Sequence, residues 1–134
     1  LAYHQLNRAF ILFAQDRDYI SAITLAGAAE EILGCLVRHA KNGRKAAIDE
    51  DIELVSAIMR GQGSIPIEKD VREALTFARN ALKHRNVGGR TDAEFDLREE
   101  AEAIIDRAVE NYEALTRWWP ESSSYDKYQR ARDA

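Results

Sequence analysis

Apolar residues recur at every third and fourth position through several long windows of this chain, with no sustained apolar/polar alternation of the kind a half-buried strand shows. The pattern predicts an all-α protein. A first helix covers roughly residues 2 to 15, with Ala2, Leu6, Ala9, Phe10 and Phe13 on one side and Gln5, Asn7 and Arg8 elsewhere. Asp18 then offers an N-cap for a long second helix from about Tyr19 to Lys41. Its apolar face holds Leu25, Ala26, Ala29, Ile32, Leu33, Leu36, Val37 and Ala40, which makes it the expected centre of the fold. Gly27 and Gly34 share its other face, where they weaken the helix but would let another backbone come close.

Asn42-Gly43 reads as a helix stop and Gly61-Gln62-Gly63 as a loop. Between them Ile52, Val55, Ile58 and Met59 predict one short amphipathic helix, with Asp49, Glu50 and Asp51 favourable at its N-terminal dipole. After Pro66 a third main helix is expected to run to about His84, buried through Val71, Ala74, Leu75, Ala78 and Leu82. A capping box, Thr91-Asp92-Ala93-Glu94, opens a last main helix that continues through Leu97, Ala101, Ile104, Ala108, Tyr112 and Leu115 until Pro120. Short links between long helices favour an up-and-down bundle of about four main helices plus a short extra helix over residues 1–119. Residues 120–134 read as a polar, loose C-terminal tail, with at most a helical turn near Tyr125 to Arg132.

A chain of 134 residues, 46% of them hydrophobic, can bury a single core. The net charge of -4 argues against a protein coated with nucleic acid or lying on an anionic membrane, which would want a basic global field. Cys35 is the only cysteine, so no intrachain disulfide can form and a reducing cytoplasm is the simplest location. The apolar run from Ile20 to Val37 is interrupted by Ser21, Thr24, Glu30 and Glu31, and is read as a buried helix with no membrane span.

The candidate chemistry is concentrated in Arg79-Asn80-Ala81-Leu82-Lys83-His84, at the expected end of the third helix. A guanidinium can hold a phosphate oxygen and stabilise charge developing on it, while an imidazole can move a proton at neutral pH. Together they suit metal-free cleavage of a phosphodiester. Arg79, Lys83, His84, Arg85 and Arg90 form one acid-free basic cluster, and Arg38, His39, Lys41, Arg44 and Lys45 form a second. Both could guide an RNA backbone. The last main helix instead carries nine carboxylates, from Asp92 to Glu113, which account for the acidic balance.

The spacing Arg79-x4-His84 with polar Asn80 directly after the arginine resembles the HEPN superfamily of small helical RNA-cleaving and nucleotide-binding domains. The run from Asp18 to Glu31 is similar to the second helix of many bacterial members, and the helix order extends the likeness over roughly residues 1 to 119. The resemblance implies a homodimer in which two motifs face one cleft, with no metal and no cofactor. His84 is then the acid/base, Arg79 clamps the phosphate, and Asn80 hydrogen-bonds it or orients His84. The implied partners are RNA, a second copy of the chain, and an antitoxin or other partner protein, in stress or defence. Asn86 stands where antitoxin-paired members often carry tyrosine.

The alternative is a non-catalytic helical dimer that binds a nucleotide, RNA or a partner protein. Taken without the resemblance, Arg79 and His84 could instead be surface residues that complement a helix C-terminus. Three further choices stay open. Glu30 or Glu31 is either a buried carboxylate that positions Arg79 or His84, or a rim residue. Trp118 and Trp119 form either a clasp at the bundle end or a base-stacking platform. The Arg38 to Lys45 cluster is either an RNA guide or a solvated helix end. Glu31, Cys35 and His39 share one helical stripe, but with no second ligand group in the sequence no metal is expected.

Overall fold

The computed structural model describes residues 1–40, 43–77, 79 and 96–134. Six α-helices and no strand occur among them: α1 (Ala2–Ile11), α2 (Tyr19–His39), α3 (Ala47–Gly61), α4 (Glu68–Leu75), α5 (Leu97–Thr116) and α6 (Ser123–Asp133). The all-α expectation holds. The first helix does not stop at Ile11 but widens into a π-helical turn, Leu12–Asp16, and ends on Arg17 in the left-handed region (φ 51°). Asp18 caps α2 as its sequence position predicts, accepting a hydrogen bond from the Ser21 N–H at 3.1 Å.

The main core is built by α1, α2, α5 and α6, with Leu6, Phe10, Phe13, Ile23, Ile104, Ile105 and Tyr128 all but fully buried. A satellite cluster of Ala46, Ile48, Ile52 and Val71 lies under α3 and α4. Helix α2 is long and apolar enough to cross a membrane by length and composition, yet half of that stretch is buried against the rest of this fold. It packs along α5 and α1 as the central element.

Four expectations need correction. The polar tail is helix α6, docked on α1 and the π-helical turn. A polar composition hid two tyrosines three residues apart: Tyr125 and Tyr128 share a face, and their rings pack within about 5 Å of Phe10 and Phe13. Asn7, on the polar side of α1, fixes the start of α6 by accepting hydrogen bonds from Ser122 and Ser124 at 2.8 and 3.0 Å. The predicted third main helix is broken at Thr76, which leaves helical geometry and bonds its hydroxyl back to the Arg72 carbonyl at 2.8 Å; Phe77 and Arg79 are helical again, and the expected run on to about His84 lies outside the described residues. The capping box Thr91 to Glu94 lies outside the described residues, and the cap of α5 is Asp96. Last, α2 is rotated from expectation. Ala26, Ala29, Leu33 and Val37 of the expected face are buried, but the buried side extends over Gly27, Glu30 and Gly34, whereas Ile32 and Leu36 are exposed.

Trp118 and Trp119 are both largely exposed and close no bundle end. The sharp exit from α5 is made by Arg117, a second left-handed residue without the freedom of glycine.

Tyr128 ties α6 to the core through its ring and, by donating its hydroxyl to Asp106 Oδ1 at 2.8 Å, to α5. Burial pushes its phenol far above the ordinary range, with the Asp106 charge adding to the effect, so the hydroxyl stays a donor. Tyr128→Ala is expected to cost about 3–5 kcal/mol. Tyr128→Phe should cost only about 1 kcal/mol. Urea unfolding of the two variants checks the split between ring and hydroxyl.

Candidate functional site

The site starts from a carboxylate placed where the apolar pattern of α2 gives it no obvious business. Glu30 is 3% exposed. A buried carboxylate needs full compensation, and Glu30 receives it from two arginines. Arg79 donates Nη1–H to Oε1 at 2.8 Å, and Arg107 of α5 donates Nε–H to Oε2 at 2.5 Å. Each oxygen therefore holds one guanidinium. The backbone of Glu30 is held too, its carbonyl accepting from Asn111 Nδ2 at 3.3 Å. Asn111 in turn accepts the Ala47 N–H at 2.8 Å, which joins α3 to α5.

Two glycines make room for this network. A Cβ on Gly27 would lie 2.6 Å from Arg79 Cδ and 2.8 Å from its Cγ, so the arginine side chain lies directly over the helix backbone. Gly34 faces Asn111 Nδ2 and the Ala46 methyl in the same way, at 3.3 and 3.6 Å. The expected close approach is real, but side chains make it, not another backbone.

Arg79 is therefore largely enclosed, with 18% of its side chain exposed. Its outer nitrogen Nη2 meets Glu31 Oε1 at 3.3 Å, and Glu31 is half-exposed. Its Nε is buried and meets no hydrogen-bond partner among the described residues. Beside it lies a small cavity of about 120 Å³, lined by Glu30, Glu31, Gly34, Arg38, Ile48, Arg72, Thr76 and Arg79. Arg38 from α2 and Arg72 from α4 reach this cavity on one shared support. Asp49 accepts Arg38 Nε and Nη2 at 2.8 and 3.1 Å and Arg72 Nη2 at 3.0 Å. The hydrogen bond from Arg38 is the main reason the Asp49 carboxyl sits below the ordinary aspartate range; Arg72 adds to it and partial burial opposes it. On the far side of Arg107, burial pushes Asp51 up in spite of the arginine, whose Nη1 stays 3.9 Å away.

Of the residues the sequence singles out, the structure places Arg79 and Arg38 in this cluster, with Glu30 and Glu31, and Arg44 and Lys45 away from it. Arg44 grips Glu113 on α5, its Nη2 2.7 Å from Oε2, and Lys45 is paired with Glu53. Asn80, Lys83, His84, Arg85, Arg90 and Lys41 lie outside the described residues. The Glu31, Cys35, His39 stripe is spent otherwise: Glu31 turns to Arg79, and the His39 ring bonds the Cys35 carbonyl at 2.8 Å. No metal-binding group occurs among the described residues. Sequence reasoning missed Arg72, Arg107, Asn111 and the role of Asp49. Only the oddity of a charged residue inside the α2 apolar run pointed toward them.

Comparison of the chain with protein-family models, with curated proteins and with solved structures gives no match.

Replacing a helical glycine by alanine ordinarily stabilises by about 1 kcal/mol. At Gly27 the opposite is expected, because the methyl would push Arg79 off Glu30: Gly27→Ala should lose about 1–3 kcal/mol, read from urea unfolding, while Gly61→Ala, where a Cβ meets nothing within 4 Å, should not lose stability through a clash. Asp49 supplies a pH dependence. A carboxyl lowered in the fold contributes stability that is present above its unfolded value near 3.8 and is lost as pH falls through the folded value. Asp49→Asn should therefore be less stable than the parent at about pH 6, and the gap should close toward about pH 3 in thermal melts.

Proposed function

We propose that the chain is a metal-independent endoribonuclease of HEPN type, working as a homodimer with a composite site. The observation that carries this reading is Arg79: a guanidinium set in place by a buried carboxylate, at the rim of a cavity, with its Nη2 against a half-exposed glutamate. Preorganisation of this kind is what transition-state stabilisation on a phosphate demands, since the cation need not be reorganised when charge develops. His84, five residues on, supplies the acid/base, and Asn80 hydrogen-bonds the phosphate or orients the imidazole. Cleavage through a 2′-hydroxyl uses one base and one acid, and a two-fold axis supplies the second histidine. The exposed Ile20, Ile32 and Leu36 on the outward side of α2 give a second copy an apolar surface to cover. RNA is the substrate, and a partner protein or antitoxin acting in stress or defence fits the same reading.

A second reading rests on the same contact. Arg79 is paired with both Glu30 and Glu31, so it can serve as a strut in a non-catalytic helical dimer that binds a nucleotide, RNA or a partner protein.

Purified protein incubated with RNA in EDTA separates the two. The ribonuclease reading expects cleavage that falls by about 10²–10⁴-fold in His84→Ala with an unchanged melting temperature. Undiminished cleavage by His84→Ala removes the mechanism. RNA left intact but bound by the parent protein favours the second reading.

A further inference from the structure

Three guanidiniums from separate stretches of the chain line the cavity beside Arg79, each already ion-paired but none with all of its donors used by a carboxylate among the described residues. Arg38 and Arg72 are both supported by Asp49, yet Arg38 Nη1 and Arg72 Nε and Nη1 engage no carboxylate among the described residues. Arginine forks fixed from behind, with donors left over in front, suit a tetrahedral oxyanion. Size narrows the ligand further. A volume of about 120 Å³ corresponds to about four waters at roughly 30 Å³ each, well below the ~300 Å³ at which pockets begin to enclose a drug-sized molecule. One phosphate group fills that volume.

The two glutamates in the lining play unequal parts. Glu30 is buried and answered by Arg107 as well as Arg79, so it is permanent. Glu31 holds Arg79 only at 3.3 Å, is 52% exposed, and can rotate into water at little cost, since exposed ion pairs are weak. Once it leaves, Arg79 Nη2 is freed toward the cavity, while Glu30 stays paired with Arg107 and Asp49 stays paired with Arg38 and Arg72.

We infer that the cavity walled by Arg38, Arg72 and Arg79 is a binding subsite for a single phosphate group, and that Glu31 is the carboxylate this phosphate displaces. The inference deepens the ribonuclease reading, on which its meaning rests: the subsite would hold the RNA phosphate that Arg79 clamps, with Arg38 and Arg72 as its further cations. The phosphate chemistry is the same whether it comes from the end of an RNA chain, from its backbone, or as a free ion.

The test uses the full chain titrated with inorganic phosphate at constant ionic strength, followed by calorimetry and by the melting temperature. Phosphate is expected to raise the melting temperature. The double variant Arg38→Gln/Arg72→Gln should weaken binding at least about tenfold, the loss of about 1.4 kcal/mol of charge-assisted contact. Arg38→Lys/Arg72→Lys, which keeps the charge opposite Asp49 but not the fork, should weaken it several-fold. Glu31→Gln should tighten it several-fold. Unchanged affinity in the double variants, or weaker binding in Glu31→Gln, overturns the assignment. A 5′-phosphorylated oligoribonucleotide that competes with phosphate where its 5′-hydroxyl twin does not identifies a terminal phosphate, and equal competition by both identifies a backbone phosphate. RNA that binds without competing removes the subsite. Phosphate binding by a protein that leaves RNA intact removes the ribonuclease reading and keeps the subsite, whereas cleavage without phosphate binding does the reverse.

Discussion

Glu30 puts a carboxylate in the interior of a helical protein and surrounds it with two guanidiniums, and much of the architecture answers to that choice. Placing the charge there obliges α2 to turn its glycines inward, because only a missing side chain leaves space for Arg79 over the helix and for Asn111 one heptad later. It obliges α5 to carry Arg107 and Asn111 on an inward face that is otherwise small and apolar. It also turns Ile32 and Leu36 out to solvent. A buried ion pair of this kind adds little net stability over a hydrophobic replacement, since desolvation offsets most of the attraction, but removing one partner strands the other at a cost of about 3–5 kcal/mol. Such a cluster fixes which residues meet more than it fixes how tightly they do.

That distinction explains why Arg79 is the informative residue in this fold. An arginine at a helix end in water samples many rotamers and has to be ordered when it binds. Here the entropy of ordering has already been lost in folding, and the guanidinium is held on one side by an anchor that water does not reach and on the other by a carboxylate that water does. Permanence and exchangeability are divided between adjacent residues of one helix.

The helical class, the Asp18 cap, the extent of α2 and the residues of the main core from α1 and α5 were legible in the sequence, because they depend on apolar periodicity and on local capping chemistry. What was not legible shares a cause: it depends on long-range polar pairing. The orientation of α2 follows from Glu30 meeting residues 49 and 77 positions away, and no window of local sequence carries that information. The docking of α6 rests on two tyrosines and two serines in an otherwise charged segment, too few to register as an apolar stripe. The break at Thr76 and the left-handed exits at Arg17 and Arg117 use residues with no strong turn signal, held by tertiary context. At the candidate site the motif arginine was found by its neighbours in sequence and its carboxylate partners Glu30 and Glu31 by their place in an apolar run, whereas Arg72, Arg107 and Asn111 could not be found that way.

Asn111 carries one last implication. Its amide is the junction between the two layers of the protein: the oxygen accepts from the start of α3, while the nitrogen reaches the backbone of α2. An aspartate of the same shape could make only the first of these bonds. The α3–α4 layer carries Asp49 and Arg72 as a unit, and this planar amide acts like a dowel beside the Arg38–Asp49 pair in registering it on the core. A slide of that layer would carry Asp49 and Arg72 away from Arg38 on α2 and change the width of the gap between Arg72 and Arg79, which makes the spacing of two cations a readout of how two helices sit on a third.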